Sequence, residues 1–94
     1  MNSTPSQNQA PGLTVADVKG VPVDRRASIE QAVMAGGSLL SPDHEAWVVP
    51  ARKPPAYSVR IVGPRGFYRE IRFAGPETPS EIEASVRQGI ETHS

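Results

Sequence analysis

The stretch YSVRIVGPRGFYREIRF, residues 57–73, reads as two β-strands joined by a tight turn. Tyr57, Val59 and Ile61 alternate with Ser58, Arg60 and Val62, and Phe67, Arg69, Ile71 and Phe73 alternate with Tyr68, Glu70 and Arg72. A period of two sends successive side chains to opposite faces of a sheet. Gly63-Pro64-Arg65-Gly66 supplies the turn. One face is mainly apolar and the other charged, the pattern of an antiparallel sheet that is wet on one side. Strict alternation puts Arg69 on the apolar face, where an unpaired charge is costly. Arg69 is therefore expected at the sheet's edge, against an acid of the last helix such as Glu81, or across a subunit boundary.

Towards the C-terminus, Thr78-Pro79-Ser80-Glu81 carries an N-cap threonine, a proline at the first helical position and a glutamate three residues after the cap. Together these form a capping box. Ile82, Val86 and Ile90 follow at intervals of four, a narrow apolar stripe with Gly89 beside it. Towards the N-terminus, PARKPPA (50–56) reads as a loop, because its three prolines cannot donate to a sheet ladder. Before it, SLL and EAWVV flank SPDH, which reads as a first hairpin with Trp47 packed in the core. A helix over about 25–35 is expected, capped by Asp24 and ended by Gly36-Gly37, with Ile29, Ala32 and Val33 on one face. Residues 1–20 are rich in Ser, Thr, Gln, Asn, Pro and Gly and read as a disordered tail, with LTVADVKGVPV as extended chain at its end.

The expected fold is thus α+β over residues 21–94: a helix, a four-stranded antiparallel sheet built from two hairpins, and a C-terminal helix packed on one face. Ninety-four residues with one Trp, two Tyr and two Phe give a thin core. Small cores often need a partner subunit, so a homodimer is expected.

The absence of cysteine excludes disulfides, thiolate metal sites and thiol catalysis. The first residues lack the basic start and apolar run of a signal peptide, and no apolar stretch nears the roughly 18 residues of a membrane span, so a cytoplasmic protein without membrane contact is expected. Asp43, His44 and Glu45 read as a solvated turn, since adjacent turn side chains diverge and acid/base work needs convergent ones. His93 is expected to fray with the C-terminus. Two such histidines make no metal site, and the glycines match no phosphate-binding motif.

Charge is balanced overall, ten cations against ten acids, but not evenly distributed. Arg52, Lys53, Arg60, Arg65, Arg69 and Arg72 stand against Glu70 alone within residues 52–72, while Glu77, Glu81, Glu83 and Glu91 gather near the last helix. Arginine dominates, and its planar fork suits phosphate. Tyr68 and Tyr57 add rings that could stack. These residues point to a non-enzymatic nucleic-acid-binding protein, with DNA ahead of RNA, gripping its ligand through Arg60, Arg65, Arg69 and Arg72, with Arg52 and Lys53 at the rim and Tyr68 as a stacking ring. No cofactor or small-molecule substrate is expected. The competing reading is an adaptor or inhibitor that docks an acidic protein partner on the same hairpin or on an unpaired sheet edge.

Overall fold

Seven elements follow one another in the computed structural model, which describes residues 12–92. They are strand β1 (Thr14–Asp17), helix α1 (Val23–Gly36), strands β2 (Glu45–Pro50) and β3 (Tyr57–Val62), a single 3-10 turn (Pro64–Gly66), strand β4 (Tyr68–Phe73) and helix α2 (Pro79–Glu91). The sheet order is β1-β2-β3-β4. The β2–β3 and β3–β4 pairs are antiparallel, whereas β1 pairs parallel with β2. The sheet is therefore mixed, which corrects the expectation of a wholly antiparallel one.

The reason lies on both sides of α1. Ser38–Leu40, expected as the first strand of a hairpin, forms a turn in which Ser38 N–H donates to Ala35 O and Leu40 N–H to Gly37 O. With two of its three N–H groups already committed to the turn, the segment does not lie extended beside β2. The free side of β2 is taken instead by β1, with Thr14 N–H donating to His44 O at 2.9 Å. A parallel neighbour needs a crossover, and α1 is that crossover.

Residues 12–20 therefore belong to the domain and not to a tail, because Leu13 (2 % exposed) and Val21 (4 %) enter the core. Any disorder of residues 1–11, and fraying of His93, lie outside the described residues. Glycine at position 37 makes Leu13 possible: a Cβ there would stand 2.3 Å from Leu13 Cδ2.

α1 starts at Val23, directly after Pro22, and has no side-chain cap. Asp24 is inside the first turn, where its charge favours the helix dipole, instead of at the expected cap position. α2 forms as its capping box requires, with Glu81 N–H donating to Thr78 Oγ1 at 3.2 Å and Thr78 N–H to Glu81 Oε1 at 2.9 Å. Both helices supply buried residues to one core: Ile29 and Val33 from α1, Ile82 and Val86 from α2, against Val59 and Ile61 of β3. Gly36 lets the helices meet, since a Cβ there would be 2.7 Å from Glu83 O and 2.8 Å from Val86 Cβ. The helices cover one sheet face and leave the other open.

Candidate nucleic-acid interface

Register decides which arginines share a surface. Trp47, Arg60 and Glu70 stand opposite one another across β2, β3 and β4; Glu45, Val62 and Tyr68 form the next row on the same face, and Val49, Ser58 and Arg72 the row on the other side. The intervening residues, Ala46, Val48, Val59 and Ile61 among them, are buried beneath the helices. The open face thus carries two cations, Arg60 and Arg72, two acids, Glu45 and Glu70, and three large exposed groups, Trp47 (39 %), Tyr68 (49 %) and Val62 (37 %).

Glu70 sits between the two cations, 3.6 Å from Arg60 Nε and 4.0 Å from Arg72 Nε. The Arg72 side chain remains 83 % exposed and that of Arg60 51 %. Exposed pairs at these distances contribute little, so the guanidinium forks stay available to an incoming anion. A groove of about 600 Å³ at the end of the open face is lined by Arg52, Arg60 and Arg72 together with Ser58 and Glu70. Lys53 is exposed next to Arg52 in the β2–β3 loop.

The other two arginines lie elsewhere. Arg65 occupies the β3–β4 turn, which the six-residue length of β3 puts roughly 20 Å from the Arg52 loop. Its backbone is left-handed, φ 62° and ψ 31°, a conformation that disfavours any side chain beyond Gly. Arg69 points to the helix side of β4, an edge strand of the sheet, in agreement with its expected edge location. Among the described residues, no acid lies within ion-pair distance of it there. Its guanidinium lies 4.4 Å above the Phe67 ring and donates to Tyr68 O at 2.9 Å, while its Nε has no partner among the described residues. The hairpin is not a free ribbon, since β3 is flanked by β2 as well as β4.

Trp47 was expected in the core and is instead on the open face. The signal was present in Glu45-Ala46-Trp47-Val48-Val49: once Ala46 and Val48 face inward, period two forces Trp47 outward with Glu45 and Val49. His44, expected as a solvated turn residue, is half-buried, its ring edge-on to Phe67 at 4.8 Å and its Nδ1 within 3.1 Å of Ser41 O. It pins the β3–β4 turn to the strand beside it, and Gly63 is the residue that admits it, because a Cβ there would come within 2.3 Å of His44 Cδ2.

Behind the groove, the β4–α2 loop is tied down by Arg25 and Glu77. Arg25 donates to Gly75 O and, at 2.9 Å, to Glu77 O. The Glu77 carboxylate accepts from Ala74 N–H and Gly75 N–H, each at 2.9 Å. Desolvation pushes the Glu77 carboxyl up, but these amides and the Arg25 charge outweigh it, so it titrates below its ordinary value.

Among the described residues, no three His, Asp or Glu side chains converge as metal ligands, and no helix is long and apolar enough to cross a membrane. Comparison with protein-family models, curated proteins and solved structures finds no match to this chain.

Proposed function

We infer that the chain is a small, non-enzymatic nucleic-acid-binding protein, acting on DNA before RNA and in the cytoplasm, and that the open sheet face holds the ligand. The observation that carries this reading is the convergence of Arg52, Arg60 and Arg72 on one groove beside exposed Trp47 and Tyr68. Arginine forks grip phosphates without regard to sequence, and aromatic faces stack on any base at about 1–3 kcal/mol each. An open sheet face with two exposed rings, and arginines converging at one end, suits an unpaired strand better than a duplex. Arg65, held out at the turn, and Lys53 extend the phosphate track at its two ends. Arg69 contributes by holding Phe67 and the turn, because its fork faces the other side.

Titrating the protein with a labelled single-stranded DNA oligomer and with the corresponding duplex at several salt concentrations tests this. Log affinity should fall linearly with log salt at a slope of about 2–3 per chain, roughly 0.7 for each phosphate contact to a single strand. Trp47 is the sole tryptophan, so its fluorescence should be quenched as a base stacks on it. Arg65→Gly relieves the left-handed strain, leaves a folded protein and should reduce the slope by less than one contact. Reversing the charge of Arg52, Arg60 and Arg72 together should abolish binding. Unchanged affinity and slope in that folded triple variant would overturn the reading.

The competing account, an adaptor or inhibitor docking an acidic protein, is favoured by one observation. Trp, Tyr and Arg exposed together on one face are the residue types that dominate protein interfaces. That account becomes the better one if Trp47 fluorescence ignores nucleic acid.

A further inference from the structure

The two edges of the sheet differ in a way the nucleic-acid reading does not use. β1 is four residues long and its register slips between Val15 and Asp17, two features that discourage a further strand. β4 is six residues long, keeps unbroken register with β3 and contains neither proline nor lysine.

Hydrogen-bond parity shows which of its groups are free. Gly63 N–H donates to Phe67 O at 3.0 Å, in line with the β3–β4 ladder. Bonded and non-bonded pairs alternate along an antiparallel ladder. Arg69, Ile71 and Phe73 therefore turn their backbone groups towards β3, and Tyr68, Glu70 and Arg72 turn theirs outward. The bond from Ala51 N–H to Ala56 O, in line with the β2–β3 ladder, leads to the same assignment from the other side of β3.

At one end of this free edge Tyr68 O accepts from Arg69 Nη1, and just past the other end Ala74 N–H donates to Glu77. An inward-facing charge such as Arg69 often deters pairing. Here it is folded back over Phe67 and leaves the middle of the edge clear. Among the described residues, the N–H and C=O of Glu70 and of Arg72 carry no side-chain bond.

We propose that β4 pairs antiparallel with β4 of a second copy about a two-fold axis through Ile71, forming an eight-stranded sheet. Outward groups must meet outward groups, which leaves centres at Glu70, Ile71 or Arg72 along the free stretch. A centre at Glu70 sets Glu70 opposite its own copy, and one at Arg72 sets Arg72 opposite its own. Both put like charges face to face. The centre at Ile71 sets Glu70 opposite Arg72 of the second copy, twice by symmetry, with Ile71 against Ile71 beneath. It uses the four free groups and meets no like charge on the open face. The groove alongside this edge is walled on α2 by Ser85, Gln88 and Gly89, small or polar side chains that a second copy's helix can approach. Both open faces then lie on one side of the continuous sheet.

Sedimentation velocity of the full chain at micromolar concentration should give about twice 10.1 kDa. Arg72→Pro removes an outward N–H, which an edge strand tolerates, and should yield a folded monomer by circular dichroism. Glu70→Arg and Arg72→Glu should each weaken dimerisation about tenfold or more, since two opposite-charge pairs become like-charge pairs. Mixed in equal amounts, these two variants should recover wild-type affinity, because each supplies the charge the other lacks. A monomeric wild type at near-millimolar concentration, a folded Arg72→Pro that still dimerises, or a mixture no tighter than its components would overturn the proposal. None of these outcomes depends on whether the open face binds nucleic acid.

Discussion

Tyr57 joins the core to the loop that ends the sheet. Its ring is 1 % exposed and stacks on Phe73 at 5.2 Å and 22°, yet its hydroxyl is buried with no hydrogen-bond partner among the described residues. Burial pushes that hydroxyl up to about 12 from 10.0, with Arg25 opposing and Glu77 adding to the shift. The folded state thus holds the proton more tightly than the unfolded chain. The stability this represents is complete below pH 10 and is lost as pH rises from 10 to about 12. Tyr57→Phe should remove that alkaline loss. At pH 7 it should be neutral or stabilising by up to about 1 kcal/mol, because it deletes an unsatisfied buried polar atom. Urea unfolding of both proteins at pH 7 and pH 11 measures both effects.

Among the elements, α2 is held by its capping box and by the loop that delivers the chain to it. Gly75 (φ 126°) turns that loop against Pro55, where a Cβ would meet Pro55 Cγ at 2.6 Å. Glu77 then gathers two amides that neither β4 nor α2 uses. Its carboxyl is lowered from 4.5, so the folded state binds the proton less tightly than the unfolded chain. The corresponding stability is present above pH 4.5 and declines as pH falls through the lowered folded value. Glu77→Gln keeps an acceptor but loses the charge. It should destabilise by about 1–2 kcal/mol at pH 7 and flatten the acid limb of the stability curve, read from denaturant midpoints between pH 3 and pH 7.

At the scale of the whole molecule, the sheet depends on a strand from the N-terminal segment. Removing residues 1–20 takes away β1 and Leu13, which is 2 % exposed. Truncating a buried leucine alone costs about 2–5 kcal/mol, and each kcal/mol moves the midpoint of a domain this size by about 4–8 °C. The melting temperature of this deletion, followed by circular dichroism, should fall by more than 10 °C. A change of only a few degrees would mean that β2 does not need its parallel neighbour.

Local chemistry alone determined α2, β3, β4 and their turn. A capping box, a four-residue apolar repeat and a two-residue alternation each specify structure within a few positions, and the alternation also put Arg69 on the apolar face, although the edge, an acid of the last helix and a subunit boundary all stayed open as its place. The choice of β2's neighbour was not local. Ser38–Leu40 and Thr14–Asp17 are both short and apolar in part, and the contest is settled by turn bonds after α1 and by Leu13 filling the space over Gly37. The candidate site divides in the same way. Period two already assigned Arg60, Tyr68 and Arg72 to one face, while the convergence of Arg52 with them, the distance of Arg65 and the exposure of Trp47 depended on three strands coming into register. Side-chain direction is a property of one strand, whereas a surface is made by its neighbours.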